Sequence, residues 1–235
     1  INREDETVLA LDPYAKSLGT WNSHDEVSYI AKAAIVAPEN IGQKLDFAKV
    51  ENYKRREDAV IYEVHVRDFT SDPSIKDELH HRFGTFEAMT ERLDYIQSLG
   101  VTHVQLLPVL SYYHANEYET GERFLEYKSA WTNYNWGYDP MHYFALTGMY
   151  SINPEDPSSR IKEFKELVNE IHKRGMAVTL DVVYNHTAEL HILEDLEPEY
   201  YHFMDSDGTS RTNFGGGRLG STHYMTRRLI VDSLK

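Results

Sequence analysis

Three short, nearly unbroken apolar runs constrain this chain most: residues 59–66 (AVIYEVHV), 101–107 (VTHVQLL) and 176–183 (MAVTLDVV). Each has the length of a strand and is rich in β-branched residues, which favour extended backbone. Between and after them the apolar spacing changes to three and four. Phe86, Met89, Leu93 and Ile96 predict a helix over 85–99, stopped by Gly100. Ile161, Phe164, Leu167 and Ile171 predict a second over 159–174, stopped by Gly175, and Met225, Leu229 and Ile230 open a third over 221–234. Strands apolar on both faces need cover on both faces. Strand–helix alternation supplies it, so the pattern predicts an α/β fold with a parallel sheet.

Residues 1–50 read differently. Two strand-like pieces, 8–11 and 31–37, lie between turn-rich segments. Two strands alone do not make a stable sheet. The segment therefore reads as the tail of another module, with the main domain over 51–235.

Composition excludes several classes. The formal net charge is −14 and the Lys and Arg residues form no basic stripe, which argues against nucleic acid. No apolar run approaches the roughly 18 residues of a membrane span. The absence of Cys removes disulfides and thiolate chemistry and leaves the compartment open. The polar opening (INRED) has no signal-peptide pattern and no initiator Met, so the chain reads as an excerpt of a longer one. Its 17 Tyr fit sugar stacking and ordinary packing equally well.

Polar residues interrupt the apolar strands. Glu63, His65 and Arg67 share one face, as do His103 with Gln105 and Thr179 with Asp181. A buried polar group left unpaired costs about 1–3 kcal/mol, so these form a network or a site. For Glu63, His65, His103 and Gln105 structural hydrogen bonding is the better reading. Asp181 stands at a strand end just before Asn185 and His186, which makes a candidate ligand-binding rim. The connections after the second and third strands are long, about 50 and 35 residues, and both leave strand C-terminal ends, where barrel enzymes build active sites.

Residues 181–187 (DVVYNHT) closely resemble the first signature region of glycoside hydrolase family thirteen, the α-amylase superfamily. Residues 134–140 (YNWGYDP) resemble a motif of the type I pullulanases, and 61–70 (IYEVHVRDFT) resembles the family's first barrel strand. The resemblance runs from about Ala59 to Lys235. It implies a (β/α)8 TIM barrel of which only the first three βα units are present. It also implies that 1–50 are the last strands of a β-sandwich carbohydrate-binding module. The implied activity is starch and glycogen debranching: retaining hydrolysis of α-1,6 links in pullulan and branched α-glucans. An isoamylase, a branching enzyme, an α-amylase or a non-catalytic glucan-binding protein are the alternatives.

The same resemblance gives residues roles. Tyr138 would stack on the glucose before the scissile bond, and His186 would hydrogen-bond a hydroxyl of that glucose. Asp181 would orient an arginine beside the nucleophile. Asp139 would fix the Tyr138 loop, Trp136 would border the cleft, and Asn185 would brace the rim. Asn185 corresponds to a calcium ligand in related amylases, so calcium is left open while no cofactor is required. The three catalytic acids are expected outside this chain. The implied partners are α-glucan oligosaccharides and polysaccharides and the remainder of the catalytic domain. The implied setting is bacterial, secreted or at the cell surface, with the cytoplasm as the alternative. All of this requires Tyr138 and His186 to meet at one mouth.

Other motifs carry less. Residues 215–220 (GGGRLG) fit G-x-G-x-x-G, yet no strand directly precedes them, so a flexible loop is expected rather than a nucleotide site. Residues 205–208 (DSDG) predict a hairpin turn, since the twelfth position of a calcium loop falls on Gly216. His80 and His81 have no companion ligands, and no metal site is expected.

Overall fold

The computed structural model describes residues 2–3, 6–26, 29–121, 133, 135–213 and 216–235. Its centre is a parallel sheet of β1 (Ile61–Val64), β2 (His103–Leu106) and β3 (Ala177–Leu180), in that order. The register aligns Glu63 with Gln105 and Gln105 with Thr179. Val64, Val104 and Leu106 face the other way and are buried in one core with Phe86, Met89, Leu93, Ile96, Leu167 and Ile171. One face of the sheet is thus covered by helices. The other carries the polar ladder, in which Gln105 Nε2 donates to Glu63 Oε2 at 2.8 Å.

The helix expected over 85–99 is two, α1 (Phe86–Glu91) and α2 (Leu93–Ser98), broken at Arg92 with φ −102° and ψ 4°. Thr85 caps α1 by accepting from the Ala88 N–H. The long helix α3 (Pro157–Lys173) is capped by Asp156, which accepts from the Ser158 N–H, and begins with Pro157, whose missing N–H costs nothing there. Gly100 and Gly175 end α2 and α3 at φ +73° and +75°. A short α4 (His191–Glu194) and α5 (Tyr224–Ser233) complete the α-helices among the described residues.

The reading of residues 1–50 needs correction in part. Residues 8–11 form no ladder, and only Ala33–Ala34, within the expected 31–37, pairs with Ser17–Leu18. Leu11, Ala15, Leu18, Trp21 and Ala31 join the same core as the parallel strands. The segment is tied down by contacts distant in sequence. Ser17 Oγ donates to the Pro157 carbonyl at 2.7 Å and the Glu117 N–H to the Trp21 carbonyl at 2.9 Å. His142 accepts through Nδ1 from the Phe144 and Ala145 N–H groups. Its Nε2 therefore carries the proton and donates to the Asp12 carbonyl at 2.9 Å.

Beneath Trp21 lies a fully buried ion pair, Arg160 with Glu117 at 3.0 Å. The Gly148 N–H donates to Glu117 Oε1 at 2.6 Å, and Arg160 also donates to the Leu146 and Pro154 carbonyls at 3.1 Å each. Gly148 has to be glycine: a Cβ there would lie 2.5 Å from both charged groups. This network pins the long connection after β2 onto α3.

Candidate substrate-binding cleft

A cleft of about 1060 Å³ opens beyond the C-terminal end of β3. Tyr138 and Asp139 line it from one loop, residues 181–186 from the strand end, and Phe203, Arg218, Leu219 and Ser221 from the segment leading to α5.

The Tyr138 loop is held from beneath. Gly137 has φ +92°, and a Cβ there would stand 2.8 Å from the Pro108 carbonyl oxygen, so only glycine fits. Asn135 accepts from the Gly137 N–H at 2.7 Å and donates to Asp139 Oδ2 at 2.8 Å. The Tyr113 N–H donates to the Asp139 carbonyl at 2.8 Å. From the end of β1, His65 Nε2 lies 3.1 Å from the Asn135 carbonyl while Nδ1 accepts from the Asp68 N–H. Arg67 donates to the Asn133 carbonyl at 3.1 Å. Burial lowers the His65 pKa, which keeps the ring neutral in this role. The polar face of the first strand is the buttress of the cleft loop. Tyr134 lies outside the described residues.

Tyr138 Oη donates to Asp181 Oδ2 at 2.7 Å. Partial burial, then this bond and the Asp181 charge, push the Tyr138 phenol up to about 12, so it keeps its proton at neutral pH. His186 is 5% exposed. Its Nδ1 stands 2.9 Å from Asn185 Oδ1, and Tyr143 Oη donates to its carbonyl at 2.8 Å. Burial lowers the His186 pKa, against the Asp139 charge and a hydrogen bond to the Tyr138 carbonyl, so the ring is neutral at neutral pH. Tyr138, Asp139, Asp181, Asn185 and His186 therefore meet at one mouth. Trp136, on the same loop, is 59% exposed and is not among the residues that line this cleft.

The strand-three rim rests on residues the sequence did not mark. Thr187 Oγ1 lies 2.9 Å from His202 Nε2, and His202 Nδ1 lies 2.7 Å from Glu194 Oε1. The glycine-rich segment packs over this group, which corrects the expectation of a flexible loop. Gly216–Gly217 is buried and pairs with Thr212–Asn213. A Cβ at Gly216 would fall 1.7 Å from the Thr187 carbonyl oxygen, and one at Gly217 2.3 Å from His202 Nε2. Gly215 lies outside the described residues. Residues 205–208 do form a turn, with the Gly208 N–H donating to the Asp205 carbonyl at 3.0 Å.

Asn185 Oδ1 is engaged by the His186 ring, and the described residues hold no group of three or more His, Cys, Asp or Glu placed to bind an ion. His81 is held by Glu87 and Glu91. Both cleft carboxylates are likewise engaged, Asp181 by Tyr138 and Asp139 by Asn135. What remains is a cleft lined by hydroxyls, two carboxylates and Arg218 with an aromatic wall, suited to a polyhydroxylated ligand.

Comparison with known proteins agrees. The family described as "Alpha amylase, catalytic domain" matches residues 61–207. Across its full length the chain is 64% identical to "Pullulanase A" of Streptococcus pneumoniae serotype 2 (strain D39 / NCTC 7466), spanning 19% of that protein. Among solved structures it matches the catalytic module of the multi-modular glycogen-degrading pneumococcal virulence factor SpuA. That match has a TM-score of 0.95 and 63% identity, and covers 99% of this chain and 34% of that one. It matches the Group B Streptococcus pullulanase SAP in complex with maltotetraose with a TM-score of 0.92 and 58% identity, covering 97% of this chain and 30% of that one. The chain thus spans about a fifth of the curated relative and about a third of the solved structures.

Proposed function

This chain belongs to the α-amylase catalytic-domain family, and we propose that it forms a sugar-binding wall of an enzyme that hydrolyses α-1,6 links in pullulan and branched α-glucans. The observation that carries the reading is the 2.7 Å bond from Tyr138 to Asp181 in the cleft that His186 also lines. With its phenol tied to a carboxylate, the Tyr138 ring is fixed in tilt and offers one face to a glucose ring. The neutral His186 ring offers hydrogen bonding to a hydroxyl of the same sugar. Asp181, spent on Tyr138, is a positioning group and not the nucleophile. Retaining cleavage needs two carboxylates about 5–5.5 Å apart, and these come from strands beyond this chain.

The named relatives support the substrate class, one described as glycogen-degrading and one solved with maltotetraose. The polar face of the sheet and its edges β1 and β3 are the surface on which the remainder of the catalytic domain closes the barrel. No cofactor enters the reading. The relatives named above are bacterial, and we place the protein outside the cell or at its surface. No helix among the described residues is long and apolar enough to cross a membrane.

The test is calorimetric titration of the whole protein that carries this chain with maltotetraose, for wild type and Tyr138→Ala, with circular dichroism to show equal folding. Loss of affinity by about tenfold or more is expected, the size of one sugar–aromatic contact plus one hydrogen bond. Equal affinity in the two proteins refutes the site. In the protein that carries this chain, faster product release from pullulan than from linear α-1,4 glucan separates the debranching reading from an α-amylase.

A further inference from the structure

We propose that Arg218 is a second sugar-contacting residue of this cleft, a specificity determinant that binds vicinal hydroxyls of the glucan beside the sugar held by Tyr138 and His186. The proposal deepens the function argued above and rests on it.

Three observations converge. First, Arg218 lines the same cleft as Tyr138, Asp181 and His186. Second, Arg218 and His186 are direct partners in an antiparallel bridge. Residues opposite each other in such a pairing send their side chains to the same face, with Cβ atoms about 4.5–5.5 Å apart. His186 faces the cleft, so Arg218 does too. Third, the guanidinium is held in place. It lies over the Phe203 ring, 5.3 Å from its centroid, and His223 packs edge-on against Phe203 at 5.6 Å.

The backbone is equally fixed. The Arg218 N–H donates to the Arg211 carbonyl at 2.8 Å, and the Phe203 N–H to the Arg218 carbonyl at 2.9 Å. The neighbouring Gly217 cannot be enlarged without striking His202. The contact with the Phe203 ring limits the orientations the guanidinium has to give up on binding. Among the described residues no carboxylate pairs with Arg218, although the chain carries a net charge of −14. A planar fork of donors, oriented on an aromatic ring and aimed into a cleft otherwise rich in acceptors, suits two adjacent sugar hydroxyls. Phe203 touches no sugar in this scheme; it positions the guanidinium.

The experiment uses the whole protein that carries this chain, with turnover suppressed by removal of its catalytic nucleophile, and titrates it calorimetrically with maltotetraose and with a tetrasaccharide containing one α-1,6 link. It compares wild type, Tyr138→Ala, Arg218→Ala, Arg218→Lys and Phe203→Leu, with circular dichroism on each. Arg218→Ala is expected to weaken one or both ligands about tenfold, the worth of charge-assisted hydrogen bonds. Arg218→Lys should recover only part of this, because an ammonium cannot make the two parallel bonds. Phe203→Leu should weaken binding less than Arg218→Ala and change the ratio between the two ligands. If Tyr138→Ala weakens binding and Arg218→Ala leaves both affinities unchanged, the Arg218 assignment fails while the function stands. If neither weakens binding, or the wild type binds neither ligand, the function fails and takes the assignment with it. Should Arg218→Ala unfold, Arg218→Lys at wild-type affinity for both ligands overturns the proposal.

Discussion

Gly137→Ala tests the cleft through a single methyl group. At φ +92° an L residue carries a backbone penalty of about 1–2 kcal/mol. The methyl would also stand 2.8 Å from the Pro108 carbonyl oxygen and 2.9 Å from the Pro108 Cβ. Neither retreats easily, since Pro108 stands two residues after the end of β2; the Tyr138 loop has to move instead. Movement breaks the 2.7 Å Tyr138–Asp181 bond, worth about 1.5–3 kcal/mol because its acceptor is charged. The loop's bound geometry is thus disfavoured by about 2.5–5 kcal/mol. The loss of affinity is capped by the Tyr138 contact itself, at about ten- to a hundredfold. Gly100→Ala is the matched control. It has φ +73° with nothing within 4 Å of the added methyl, and it lies at the far end of α2. It should lower the melting temperature by the backbone penalty alone and leave maltotetraose binding unchanged. Titration of both variants decides the matter: if Gly137→Ala binds maltotetraose within twofold of Gly100→Ala, the loop geometry is not what organises the cleft.

Two further predictions concern what holds the cleft's supports together. His142 is buried and its pKa is lowered from 6.5 to about 4, chiefly by burial. The folded state therefore resists protonation. Stability is whole above pH 6.5 and falls by up to about 3 kcal/mol as the pH drops toward 4, and urea titrations across that range should show the slope in wild type and not in His142→Gln. Glu117→Ala strands the Arg160 charge in the core and should cost about 3–5 kcal/mol, whereas the Glu117→Gln, Arg160→Met double variant should cost less than Glu117→Ala; equilibrium unfolding of the three proteins checks the order.

The centres of all three strands and the glycine stops of α2 and α3 were legible because each depends on local spacing. The break at Arg92 was not, since no glycine or proline marks it and the helical residues on both sides keep their period. Asp181, Asn185 and His186 were legible as a rim because one strand end carries all three. Trp136 shows the limit of such a reading: a motif gives neighbours in sequence but not the direction the chain takes through a left-handed glycine.

Long-range convergence was invisible in every case. His202, Glu194 and Arg218 reach the rim of β3 only after the chain has turned back on itself, and nothing periodic relates them to Thr187 or His186. The docking of residues 1–50 depends on partners such as Ser17 with Pro157, whose pairing no local pattern encodes. The glycine run shows what a sequence can still offer. Its composition suggested looseness, yet two of its glycines sit where Thr187 and His202 leave no room for a Cβ. Glycine at such a position records a close approach as readily as a flexible joint. In this chain the close approach seats Arg218 beside His186, so the feature that looked least informative marks the part of the cleft that the local motifs did not reach.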